Sequence, residues 1–397
     1  MKKLMMAAVV ATGIFATSCS DDDVNDPINP IGDSQEYVLQ TVSSSNISGT
    51  VTFMRNDDNS TTVEIDLEGT ADGQIYPAHI HYNSVLETGD VAFTLNPVDG
   101  ETGESTTTFS ALTDGTAISY TDLLNFDGYV DVHLSETEMS TIVARADIGG
   151  NELTGESKTY NLHEVDVAGI TGTATFEQRK NGAVLASLSI EPSVGAQMHP
   201  AHIHMNTAAE TGDIVFTFNP LDGTTGMSMT NMTEWDDGTA LSFQELMEFD
   251  GYINVHESAD NLGTLLAQSD IGQNELTGES ITYDLDAIAN TDYSGQATFE
   301  ERVNGETLIS VNLDGAMSGE TYPVHIHEGT AAAGTGAISI QLNELNGDTG
   351  MSVTNVSELD NGGSISYEGL LDYDGYLDVH LNDIDVLAGD IGSNLLP

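Results

Sequence analysis

The chain repeats itself with a period of 123 residues, and this repeat restricts its fold more than any other feature. Gly49-Thr-Val-Thr-Phe53 returns as Gly172-Thr-Ala-Thr-Phe176 and as Gly295-Gln-Ala-Thr-Phe299. Tyr37-Val-Leu39 returns as Tyr160-Asn-Leu162 and Tyr283-Asp-Leu285, and Thr154-Gly-Glu-Ser157 returns at 277–280. A unit of this length exceeds the roughly 20–50 residues of a solenoid repeat and can bury its own core. The 397 residues therefore divide into units at 36–158, 159–281 and 282–397. Almost no linker separates them, so a compact or semi-rigid array is expected.

Nine of the eleven histidines follow the same period. His79-Ile-His81 is followed by His133, His202-Ile-His204 by His256, and His325-Ile-His327 by His380. Side chains alternate along a strand, so a His-x-His puts both imidazoles on one face. A third imidazole from a neighbouring strand completes a three-nitrogen site. Imidazole suits copper and zinc, so the pattern predicts one metal ion per unit, copper first and zinc as the alternative. Asp131, Asn254 and Asp378 stand two residues before the third histidine, on its face. They are candidates to hydrogen-bond a ligand ring and fix its tautomer. His199 is an extra histidine of the second unit, flanked by Met198 and Met205.

The composition reads as all-β. Residues 47–54, 62–67, 90–95 and 128–134 alternate apolar with polar or small side chains, between Gly- and Asn-containing turns. One segment departs from this pattern. Ser119-Tyr-Thr-Asp-Leu-Leu124 offers a capping serine and near-helical spacing, then Phe126-Asp-Gly128 stops it. The spacing predicts one short helix per unit, recurring at 242–247 and 366–371. The class is three tandem Greek-key β-sandwiches. In Tyr129-Val-Asp-Val-His-Leu134 the valines and leucine take the core face. His133 then points away from the core, toward a loop-covered surface.

Sixty-four acids face eight bases, a formal net charge of −56. That excludes nucleic acid as a partner and favours cations near the surface. Cys19 is the single cysteine, so no intramolecular disulfide exists. It follows Lys2, Lys3 and an apolar run over 4–16 that is too short to span a bilayer. This leader resembles a bacterial lipoprotein signal peptide over 1–18. The resemblance implies cleavage before Cys19, lipidation of that residue and anchoring to a membrane. Ser20-Asp-Asp-Asp23 is similar to the surface-export tag of Bacteroidetes-type lipoproteins, which implies an outer-membrane protein displayed at the cell surface. Residues 19–35 read as an acidic tether.

Pro77-Ala-His-Ile-His81, a Gly-Asp or Gly-Ala before an apolar strand, and Tyr-x-x-Val-His resemble the CHRD domain. They are also similar to copper,zinc superoxide dismutase, a Greek-key sandwich in which His-Val-His and a later Val-His bind copper. Val255-His-Glu-Ser-Ala-Asp-Asn-Leu-Gly263 and Asp270-Ile-Gly272 look like that family's last copper ligand and closing strand. The resemblance spans residues 36–397. It implies copper ligation by His79, His81, His133, His202, His204, His256, His325, His327 and His380. The sequence also departs from the dismutases. No histidine lies between the second and third of each set, so the zinc loop has no counterpart. Arg145 stands near, but out of register with, the arginine that guides superoxide. Three function classes follow: copper binding at a surface anchor, copper-only superoxide dismutation, and adhesion by metal-free sandwiches. The negative surface repels superoxide and disfavours the second. Gly-x-Ser-x-Gly, P-loop and dinucleotide fingerprints are absent.

Overall fold

The computed structural model describes residues 30–42, 44–288, 292–382 and 384–395. The leader and Cys19 lie outside the described residues. Among the described residues, no helix is long and apolar enough to cross a membrane.

The first unit contains β1 (Pro30–Thr41), β2 (Ser48–Asn56), β3 (Thr61–Glu68), β4 (Ile75–Tyr82), β5 (Val91–Asp99), β6 (Glu104–Phe109), α1 (Tyr120–Leu123), β7 (Asp127–His133) and β8 (Ile142–Gly149). The strands lie in the order β5-β4-β7-β8-β1-β2-β3-β6, with antiparallel neighbours. β3 neighbours β6 and β4 neighbours β7, so the β3–β4 and β6–β7 connections cross the ends of the sheet in Greek-key fashion. β5 and β6 meet through side chains: Asn96 N–H donates to Thr107 Oγ1 at 2.8 Å, and Asn96 Nδ2 donates to the Thr106 carbonyl at 2.7 Å. In the third unit the corresponding strands also pair at Asn346 and Met351, and the same order closes into a barrel. In the second unit the strand is interrupted at Pro200, between Met198–His199 and Ala201–Met205, whereas Pro77 and Pro323 sit at register shifts inside unbroken strands.

Each unit has its own apolar core. Ala78, Ile80, Val130 and Val132 are fully buried in the first, Ala201, Ile203, Ile253 and Val255 in the second. The repeated tyrosine works at the closure of the fold. Tyr37 Oη accepts from Gly149 N–H at 3.1 Å, and Tyr160 Oη from Gly272 N–H at 3.0 Å. Burial pushes both phenols up to about 12.

The three short helices are present, at Tyr120–Leu123, Phe243–Met247 and Tyr367–Leu371. Ser119, Ser242 and Ser366 cap them, with reciprocal capping boxes through Asp122 and Glu245 in the first two. Three strands run across boundaries drawn from the sequence, one of them Leu276–Ala287 at the 281/282 junction. Pro30–Thr41 takes in residues 30–35 of the tether, with a register shift between Pro30 and Ser34 beside Gly32 at φ 93°. Proline, glycine and aspartate there read as coil, but a bulge accommodates them in a strand. Leu153–Glu164 passes straight through the 158/159 junction, so the first two units share a continuous strand.

Charged side chains join successive units. Arg179, 2% exposed, donates to Asp147 at 2.8 Å and to the Asn151 carbonyl of the preceding unit. Arg302, 1% exposed, does the same to Asp270 at 2.8 Å and to the Asn274 carbonyl.

Candidate metal centre

β4 and β7 are adjacent, with His79 opposite Asp131 and His81 opposite Tyr129. Ala78 and Ile80 face the core, so alternation sends His79 and His81 to the other face. Register shifts occur at the second histidine against the outer strand and at the third against the inner one. They lie at Ile80/His81 and Val132/His133, Ile203/His204 and Val255/His256, Ile326/His327 and Val379/His380. Such bulges re-aim side chains, and these bring three rings together. Ring centroids of His79 lie 5.8 Å from His81 and 5.0 Å from His133, and those of His202 lie 5.9 Å from His204 and 5.1 Å from His256. In each unit one nitrogen from each of the three rings lies within 4.8 Å of the others. The face away from the core is covered, with Tyr129, Asp131 and His133 all buried.

Backbone carbonyls set the tautomers. His81 Nδ1 lies 2.9 Å from the Gly89 carbonyl, His204 Nδ1 2.9 Å from that of Gly212, and His327 Nδ1 3.0 Å from that of Gly336. His256 Nδ1 lies 2.7 Å from the Leu262 carbonyl. A carbonyl only accepts, so each Nδ1 carries the proton and each Nε2 keeps its lone pair. In the second unit this leaves Nδ1 of His202, Nε2 of His204 and Nε2 of His256, all buried and without a hydrogen-bond partner. In the first unit Nδ1 of His79, Nε2 of His81 and both ring nitrogens of His133 are buried without a hydrogen-bond partner. Unsatisfied buried nitrogens are uncommon and cost about 1–3 kcal/mol each. A metal ion would satisfy all three at once, and the neutral nitrogen set fits copper or zinc.

A stacked tyrosine and a glycine hold the middle ring. His81 lies on Tyr129 at 4.8 Å and 10°, His204 on Tyr252 at 4.9 Å, and His327 on Tyr376 at 4.9 Å. The Gly89 and Gly212 N–H groups donate to the Tyr129 and Tyr252 hydroxyls at 3.2 and 3.1 Å. A Cβ on Gly212 would stand 2.1 Å from the Met205 carbonyl, and one on Gly336 1.8 Å from that of Glu328. Gly212→Ala should therefore displace the carbonyl that orients His204. Metal affinity at the second site should fall about 10–100-fold, as for other lost outer partners of a ligand. A chelator competition showing unchanged affinity would contradict this role.

Burial, with the neighbouring imidazoles adding to it, pushes His79 and His202 down to about 4. Burial also lowers His133, His256 and His325. All five are neutral at pH 7 with lone pairs available.

Of the three residues proposed to fix tautomers, two are held by other partners and Asp378 reaches the rings, at 2.9 Å from His380 Nε2. Asp131 takes a fork from Arg145, at 2.9 and 2.8 Å. Asn254 accepts from Gln268 at 2.8 Å. The partner stands directly across the next strand in both cases. Asp378 faces Ala388 there and reaches the histidines instead. His199 is a structural pin, fully buried with its ring nitrogens 2.6 and 3.2 Å from the Glu257 and Val194 carbonyls. Met198 and Met205 are exposed. The sequence reading did not find the glycine carbonyls, the stacked tyrosines or the arginines between units.

No curated protein and no solved structure matches the chain. Residues 31–141, which run from the second residue of β1 past β7 and include the first unit's three histidines, match the CHRD domain.

Proposed function

We propose that this chain is a metal-binding protein with three mononuclear centres, and that each takes copper through the three histidines of one unit. The reading rests on the second unit, where two tautomers are preset by carbonyls and three orphaned lone pairs converge. Neutral imidazoles suit both Cu(I) and Cu(II), with Zn(II) as the competitor. Titration of the metal-free chain should saturate near three equivalents of copper. A chain that binds none above a histidine-free control would leave a metal-free sandwich array.

The leader extends the proposal to a lipid anchor at Cys19, on the sequence pattern alone. Acyl labelling of the expressed protein should be lost in Cys19→Ser, and labelling that persists would remove the anchor from the reading.

A further inference from the structure

We propose that the third unit holds a four-ligand centre, with Asp378 as the fourth ligand, specialised for a divalent cation. The first two units keep three nitrogens and an open fourth position. This rests on the metal-binding reading above. It concerns how the sites differ.

The difference starts from one cross-strand position. His79, Asp131 and Arg145 stand side by side on three adjacent strands, as do His202, Asn254 and Gln268. The third unit has His325, Asp378 and Ala388 in that row. Arg145 turns the Asp131 carboxylate away and neutralises it. Asn254 carries no charge and is occupied by Gln268. A methyl group does neither, so the Asp378 carboxylate turns to the imidazoles.

Asp378 is 2% exposed. Its Oδ1 lies 2.9 Å from His380 Nε2 and 3.6 Å from His325 Nδ1, and its Oδ2 lies 3.1 Å from His327 Nε2. Four donors at about 2.0–2.1 Å from a tetrahedral ion stand about 3.3 Å apart. The carboxylate thus stands against the three nitrogens at distances close to those between ligands of one ion, and its shortest contact is a hydrogen bond with His380 Nε2, whose proton a metal ion would displace. The four side chains form one cluster within 4.8 Å. His380 Nδ1 lies 2.9 Å from Asp385 Oδ1, a carboxylate where the second unit uses the Leu262 carbonyl. A carboxylate behind a ligating histidine orients the ring and raises its basicity.

The chemistry follows from charge and hardness. A carboxylate oxygen disfavours Cu(I) and favours divalent ions, and its charge offsets part of theirs. A buried carboxylate without a cation is costly, so binding should be strongest where that charge is least compensated. Four protein ligands describe a closed site that retains its ion, whereas three with an open position allow exchange or reaction.

The test is zinc titration of the full metal-free chain against a chelator, for the native protein, Asp378→Asn and Ala388→Arg. Asparagine keeps the shape, and arginine rebuilds the lock of the first unit. The native chain should show one zinc held at least about tenfold more tightly than the other two. Both variants should lose that tight class while keeping three equivalents in total. Three equal classes in the native chain, or a tight class that survives Asp378→Asn, would overturn the four-ligand centre and leave three-histidine binding intact. Tighter zinc in Asp378→Asn would also overturn it, marking the carboxylate as a plug that competes with metal. No zinc or copper at any site would instead refute the metal reading itself.

Discussion

Replacing His202, His204 and His256 together with alanine should remove one bound metal ion and leave the other two. The three converging nitrogens of the second unit have no hydrogen-bond partner, and among the described residues no other cluster of His, Asp and Glu in that unit could hold a metal ion. The core should persist, because Ala201, Ile203, Ile253 and Val255 fill the opposite face and are untouched. The variant should also differ in acid. His202 has a folded pKa of about 4 against an ordinary 6.5. Between those values the unfolded chain binds the proton and the folded chain does not, so stability falls as pH drops through that window. Deleting the buried imidazoles removes this loss. Denaturation of metal-free protein from pH 7 to pH 4 should show a shallower decline in the variant. Elemental analysis with an unchanged metal count would rule out this site, and an unchanged pH slope would rule out the buried neutral imidazole.

The histidine sets were legible because duplication writes them three times and strand periodicity alone gives their common face. The short helices were legible from one serine and two or three apolar positions, since a cap is a local device. What converges the rings was not legible. A bulge is a mismatch between two strands, and neither strand alone records that Ile80/His81 or Val132/His133 slips against its neighbour. The carbonyls of Gly89, Gly212 and Gly336 were hidden for a related reason. A backbone acceptor has no residue code, and only the glycine that permits the close approach leaves a trace. Asp131, Asn254 and Asp378 were placed on the right face, yet the residues that hold or release them sit on the next strand. Whether the residue opposite is Arg145, Gln268 or Ala388 decides what each one touches.

Replacing Arg302 with methionine should destabilise the chain and weaken metal binding in the unit before it. The guanidinium is buried, and it holds Asp270 and the Asn274 carbonyl across the junction of the second and third units. Asp270 also accepts from Ala208 N–H at 2.8 Å. Ala208 belongs to the loop between His204 and Gly212, the residue whose carbonyl sets the His204 tautomer. Asn355 of the third unit adds a bond from Nδ2 to Glu210 in the same loop, at 3.2 Å. The first junction repeats the plan. Arg179 holds Asp147, Asp147 accepts from Val85 N–H at 2.9 Å, and Asn231 Nδ2 reaches Glu87 at 2.9 Å. The second and third units therefore each brace the candidate metal loop of the unit before. Methionine keeps much of the packing but leaves the half-buried Asp270 without its cation. Breaking a fully buried pair from one side costs about 3–5 kcal/mol, and the solvent contact of Asp270 reduces that loss. Chemical denaturation should show that loss, and the second site should lose copper or zinc affinity while the first keeps its own. Unequal effects on the two sites are the decisive readout, because a general loss of stability would weaken both. Equal affinities at the first and second sites of Arg302→Met would mean that the junction joins the units without supporting the metal loops.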